Sequence, residues 1–302
     1  MARFHNPYAG DGVWLKGNLH THTTASDGHF SLAEVAAAYR KFDYDFLAIT
    51  DHDVQVDLSS VDFGLTLLPG VEATKAMSHI LCIGWSQDNM RGRFRPDKIG
   101  TAEFQEMIDL VGRAGGVSIL AHPHWLREDY WSLTDLLSLR GYTGIEVFNG
   151  DDVSPITHVS TDLWDGVLSA GVRAWGFGAD DFHHLGQLRR VWTVAKAASR
   201  EPVALLDALR QGRHYISTGV ELAEVGADGD WIHVSVARNG FTERYEKQFR
   251  FIGTGGRVLQ TVSGRNPSAA YKAIGDEQYV RVQVLVEFGH VAYTQPFFRE
   301  QA

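Results

Sequence analysis

Histidines and carboxylates in this chain fall into short recurring groups whose types suit the binding of divalent cations. Asn18-Leu19-His20-Thr21-His22 closes one apolar run, Thr50-Asp51-His52-Asp53 a second, and Pro69-Gly70-Val71-Glu72 a third. His79 opens a fourth run and Ala121-His122-Pro123-His124 ends a fifth. Ile145-Glu146-Val147-Phe148-Asn149 forms a sixth, and Asp180-Asp181-Phe182-His183 closes a seventh. Residues i and i+2 of a strand face the same way, so His20 and His22 can reach one ion, and Asp181 and His183 repeat the geometry. A single pair means little. With 14 His in 302 residues, chance supplies roughly 0.6 His-x-His pairs. The signal is the recurrence of such groups at the ends of successive runs, which is how α/β barrels build active sites.

Several cations held together need anions between them, and Glu72, directly after an apolar run, is the best candidate to bridge two ions through its two oxygens. Asp27 lies on a polar Thr-Thr-Ala-Ser-Asp-Gly loop, where an ordinary turn aspartate is the competing reading. For His79 the competitor is a hydrogen-bonded core histidine. Pro123 fixes the turn after His122 and favours coordination there. His124 and His184 adjoin expected ligands and suit supporting or substrate contacts.

These groups need elements to hold them. Apolar runs at 14–19, 46–50, 65–72, 79–85, 117–121, 144–148, 174–179 and 191–195 predict strands. Helical patterns lie between several of them: 31–42, with Ser31 and Glu34 as a capping box, 101–114 and 202–211. This alternation predicts an α/β barrel or parallel sheet over residues 1–217. From 218 to 302 the period shortens to two, as in Ile232, Val234, Val236 and in Val280, Val282, Val284, Val286. That predicts a small antiparallel β-sandwich-like unit.

Composition narrows the function. The net charge is −9, which argues against nucleic acid and against an anionic membrane surface as partners. A phosphate-bearing substrate would need local positive charge, and bound cations are a source. The single Cys82 leaves no intramolecular disulfide and fits a reducing compartment. Residues 1–10 lack an apolar signal region and no apolar run reaches membrane-spanning length, so the expectation is a cytoplasmic protein.

Taken together, N-L-H-T-H-T with S-D-G downstream, I-T-D-H-D, G-V-E, H-I-L, A-H-P, G-I-E-V-F-N and D-D-F-H resemble the PHP (polymerase and histidinol phosphatase) family of metal-dependent phosphoesterases, in family order across roughly residues 14–217. The resemblance implies a distorted seven-stranded β/α barrel with a trinuclear site. His20, His22, Glu72 and Asp181 would hold one ion, Glu72 would bridge to a second held by His79 and His122, and Asp27, His52 and His183 would hold the third. Some members have His where this chain has Asp27. Manganese, zinc and iron occur in the family, and mixed nitrogen and oxygen ligation does not choose among them. Arg213-His214-Tyr215-Ile216-Ser217-Thr218-Gly219 and the β-rich tail look like the CehA/McbA-like branch, which includes hydrolases of aryl carbamates.

The expected chemistry is hydrolysis of a small phosphate ester or nucleotide by a metal-bridging hydroxide, with His183 or His184 protonating the leaving oxygen. Arg127, Arg189 and Arg190 are candidate phosphate contacts, although solvated surface arginine is the plainer reading of each. The alternatives are a carboxylic or carbamic ester hydrolase using the same ions, and a non-catalytic metal-stabilised binding module.

Overall fold

The computed structural model describes residues 3–74, 78–84, 101–125, 130–151 and 158–300. The first seven strands are β1 (Val13–Asn18), β2 (Phe46–Ile49), β3 (Thr66–Ala73), β4 (Ile80–Ile83), β5 (Val117–Leu120), β6 (Gly144–Asn149) and β7 (Trp175–Ala179), and they neighbour one another in chain order. Between them lie α1 (Leu32–Arg40), α2 (Thr101–Arg113), α3 (Leu133–Ser138) and α4 (Thr161–Ser169). β1, β2 and β3 run parallel, as do β5, β6 and β7, whereas β4 is antiparallel to both its neighbours. Past the ends of β1 and β7, Thr21 and Phe182 form a parallel bridge: His22 N donates to Phe182 O at 2.9 Å and Phe182 N to His20 O at 3.2 Å. The two outer strands of the series thus meet at the rim that carries the histidine groups.

The sequence expectation for strands holds closely in this half. β2, β4 and β5 are buried along their whole length, as short strands covered on both faces must be. Helix α1 begins where the capping box put it, with the Glu34 carboxylate accepting from Ser31 N at 2.8 Å, and it buries Val35, Ala36 and Tyr39. The expected fourth run extends to Trp85, which lies outside the described residues.

The sheet does not stop at β1. β8 (Trp192–Ala197) pairs antiparallel with β1, α5 (Pro202–Arg210) follows, and β9 (His214–Ser217) pairs with β8. The C-terminal strands are β10 (Leu222–Asp228), β11 (Trp231–Val236), β12 (Lys247–Gly253), β13 (Arg257–Gly264), β14 (Ser268–Lys272), β15 (Tyr279–Val286), β16 (His290–Tyr293) and β17 (Phe297–Phe298). β13, β12, β15 and β16 continue the large mixed sheet through a β16–β9 ladder, while β10, β11 and β14 form a separate three-stranded sheet. Ile232, Val234 and Val236 of the small sheet share one core with Val280, Val282, Val284 and Val286 of the large one. The antiparallel, two-layered C-terminal region read from period-two alternation is therefore present. Arg281 departs from the simple alternation, being buried against Asp165 of α4.

Candidate metal centre

Strand direction gathers the chemistry at one rim. His20 and His22 follow β1, His52 follows β2, Glu72 lies near the end of β3, His122 follows β5, and Asp181 and His183 follow β7. Because β4 runs antiparallel, its N-terminal end faces that same rim, and His79 immediately precedes it.

The expected ligands converge there. Glu72 is 1 % exposed and sits at the middle. Its Oε2 lies 3.2 Å from His20 Nε2, 3.3 Å from His22 Nε2 and 3.0 Å from His52 Nδ1. Its Oε1 lies 2.8 Å from His79 Nδ1 and 3.0 Å from His122 Nε2. Asp181 Oδ1 stands 3.1 Å from His20 Nε2 and 3.2 Å from His22 Nε2. Asp27, more than half exposed, approaches His52 Nε2 at 3.3 Å, His183 Nε2 at 3.4 Å and His22 Nδ1 at 3.6 Å.

The directions of these atoms are as informative as the distances. His20 Nε2, both ring nitrogens of His22, His52 Nδ1, Glu72 Oε2 and Asp181 Oδ1 are buried and yet make no hydrogen bond. Buried polar atoms without partners are costly. Here all but His22 Nδ1 face one another across 3.0–3.3 Å, pointing into shared space, and His22 Nδ1 faces Asp27 at 3.6 Å. Tetrahedral ligands at about 2.1 Å from one ion stand roughly 3.4 Å apart, so the donor set and its spacing fit divalent cations.

Charge tells the same story. Burial alone would depress the basicity of His22, but the Asp181 and Glu72 carboxylates that face its Nε2 at 3.2 and 3.3 Å hold its pKa up to about 9. His20 is likewise raised against its own burial by Asp181, Glu72 and Glu146. Glu72, which burial would push up, is held well below the usual carboxylate range by His20 and His79. His79 and His183 go the other way, lowered chiefly by burial.

A second layer fixes these groups. Asp51, fully buried, accepts from Thr23 N at 2.8 Å, Ser26 N at 3.1 Å and Ser26 Oγ at 2.7 Å, and so shapes the loop that carries Asp27. Asp180 accepts from Tyr39 Oη and from the backbone of Arg189, Arg190 and Val191, and burial lifts its pKa to about 6 despite these bonds. Asp53, His122 and Asp181 all have positive φ, at 53°, 29° and 51°. Such strain in non-glycine residues clusters where the surrounding structure over-determines a site.

Glu146 and Asn149 belong to the sixth group of the sequence, which assigned neither of them a role. Glu146 lies 3.1 Å from His20 Nδ1 and groups with His20 and His122. Asn149, three residues on, touches both Glu146 and Asp181. Of the two expected proton donors, His183 joins the cluster, and His184 lies on the rim, bonded to Gly186 N and 5.9 Å from the His29 ring. Among the expected phosphate contacts, Arg189 covers the Phe42 ring, Arg190 donates to the carbonyls of Gly186 and Gly150, and Arg127 lies outside the described residues.

No protein-family model matches the chain. A segment of 52 residues is 46 % identical to the DNA polymerase/3'-5' exonuclease PolX of Bacillus subtilis, covering 17 % of this chain and 9 % of that protein. A two-domain protein from Bacteroides vulgatus, described as containing a predicted PHP-like metal-dependent phosphoesterase, superposes with a TM-score of 0.51 at 18 % identity, over 95 % of this chain and 97 % of that one. The lesion-specific endonuclease of Pyrococcus furiosus aligns over 67 % of this chain and 56 % of its own, at 13 % identity and a TM-score of 0.47. The chain has a PHP-like fold. Its rim carries clustered histidines and acids able to hold metal ions.

Proposed function

We propose that the protein is a metal-dependent phosphoesterase that hydrolyses a small phosphate ester or nucleotide at a trinuclear divalent centre. The observation that carries this reading is the convergence of buried, unpartnered histidine and carboxylate atoms on Glu72. The two Glu72 oxygens divide the histidines between them, His20, His22 and His52 on Oε2 and His79 and His122 on Oε1. That division supports Glu72 as the bridge between an ion held with His20, His22 and Asp181 and another held by His79 and His122. Asp27, His52 and His183 would hold the third.

Bound divalent cations lower the pKa of water and offset charge on phosphoryl oxygens. The protein's own groups must then orient the ester and move protons. Exposure rises from His20 and His22, at 0 %, to His183 at 22 %, His52 at 26 % and Asp27 at 54 %, so the ester enters on the Asp27 side. His183 Nδ1 lies 3.0 Å from the Asp181 carbonyl and its Nε2 faces Asp27. With both ring nitrogens engaged, His183 serves better as ligand, and His184 becomes the stronger candidate to protonate the leaving oxygen.

Manganese- or zinc-loaded protein screened against p-nitrophenyl phosphate, bis-p-nitrophenyl phosphate, nucleotides, a short oligonucleotide and aryl carbamates tests the reading. Turnover of the phosphate esters is expected, with loss of turnover and of at least one bound ion in Glu72→Gln. Turnover confined to carbamates would move the protein to the ester hydrolases. Tight metal binding without any turnover would make it a binding module.

A further inference from the structure

Glu146 and Asn149 form a device that the metal ligands alone do not account for. In a regular strand, residues three apart point to opposite faces. The β6–β7 ladder slips between Glu146 and Phe148, and a bulge of this kind re-aims side chains. As a result Glu146 and Asn149, 1 % and 3 % exposed, meet on the same side. Asn149 Nδ2 donates to Glu146 Oε2 at 2.9 Å and to Asp181 Oδ2 at 3.1 Å, while its Oδ1 accepts from Asp151 N at 2.7 Å. The Asp151 bond fixes which way the amide faces. Glu146 Oε2 also accepts from His122 N at 2.9 Å, and Oε1 lies 3.1 Å from His20 Nδ1.

From this geometry we infer that Glu146 and Asn149 are positioning residues that set the tautomer of His20 and the rotamer of Asp181 for cation binding. The inference rests on the metal centre proposed above. A carboxylate facing Nδ1 accepts, so the proton that His20 would keep when a cation binds is the one on Nδ1, and Nε2, which faces Glu72 and Asp181, is the nitrogen left to coordinate. The Asn149 amide holds Asp181 Oδ2, which leaves Oδ1 turned toward His20 and His22. One amide therefore aligns ligands that come from two different strands.

Glu146→Gln separates this role from packing, because it preserves shape and changes only which atoms donate. The Gln oxygen must take the place of Oε2, where two N–H groups already point. Its NH2 then faces His20 Nδ1 and donates to it, which moves the His20 proton to Nε2 and blocks coordination. Zinc affinity by chelator competition should fall roughly 10–100-fold for at least one ion. Histidine nitrogen NMR of the zinc-treated protein should show the Nε2-protonated tautomer at His20 in the variant and the Nδ1-protonated one in the unaltered protein. Asn149→Ser, which frees Asp181 without a bulky intrusion, should also weaken zinc binding and stands in if Glu146→Gln does not fold. Tyr279→Phe, a buried polar deletion elsewhere, should leave zinc binding unchanged. Zinc affinity, stoichiometry and His20 tautomer all unaltered in both variants would overturn this inference alone. An unaltered chain that takes up no zinc would overturn the metal centre, and this inference with it.

Discussion

Each imidazole at the rim has two nitrogens, and in the metal-free protein their protons stand where cations are proposed to bind. His22 is held to about 9 by Asp181 and Glu72 against the pull of burial, so at neutral pH it is charged in the folded chain and largely neutral once unfolded. A raised folded pKa contributes stability that is complete below the ordinary value of 6.5 and is lost as pH climbs through about 9. His20 and His122 are raised as well and act in the same direction. The lowered pKa values of His79 and His183 have their effect below that window. The metal-free protein should therefore melt at progressively lower temperature between pH 6.5 and about 9. Zinc-loaded protein should lack most of that decline, since metal takes the place of the protons. Thermal melts of both forms across this range check it, and parallel pH profiles would show that these histidines do not share protons with the carboxylates as described.

At the scale of elements, the loop between β1 and α1 sets the most exposed part of the site. Gly28 packs against the chain at His22, where an added Cβ would stand 2.5 Å from the His22 carbonyl carbon and oxygen. Backbone cannot yield there as a side-chain tip would. Gly28→Ala should push Asp27 away from His52 and His183, lowering metal stoichiometry by the ion proposed to sit with them while those proposed around Glu72 remain. Metal analysis after gel filtration reads this directly, and full stoichiometry would show that the loop has slack. Much of this architecture is legible in the sequence. Apolar runs give the strands, because short strands buried on both faces read as unbroken hydrophobic stretches, and the polar residues that end them give the rim. Other features are hidden for physical reasons. An apolar run such as Ile80–Ile83 reads alike in either direction, so only pairing reveals β4 as antiparallel. Helix α3, at six residues, is too short to build a clear periodic stripe even with its Ser132–Asp135 capping box, and α4 breaks its stripe by burying Asp165 beside Trp164, Val167 and Leu168. Glu146 and Asn149 look like opposite faces of a strand until the bulge is seen.

Across the whole molecule, buried polar ties join the two textures that the sequence separates near residue 217. Tyr8 Oη donates to the His214 carbonyl at 3.0 Å and accepts from Gln295 N at 2.6 Å, so the N-terminal segment is pinned between β9 and the C-terminal strands. On the other side Arg281 of β15 reaches Asp165 of α4 with Nε at 2.8 Å and its terminal nitrogen at 2.6 Å, and Tyr279 donates to the same carboxylate at 2.8 Å. Both partners of the ion pair are under a tenth exposed, so each charge relies on the other for what water would supply. Deleting one partner of such a pair typically costs about 3–5 kcal/mol, whereas replacing both with apolar groups of similar volume is often neutral. Asp165→Ala should accordingly lower stability by about that amount, and Asp165→Leu combined with Arg281→Met should recover most of it. Chemical denaturation of the three proteins measures both values. Zinc affinity should stay constant throughout, because the pair lies away from the rim and braces the barrel against the β-rich region without touching a proposed ligand. A parallel loss of zinc binding in Asp165→Ala would instead mean that the C-terminal strands hold the site in shape through α4 and the β6 strand it packs on.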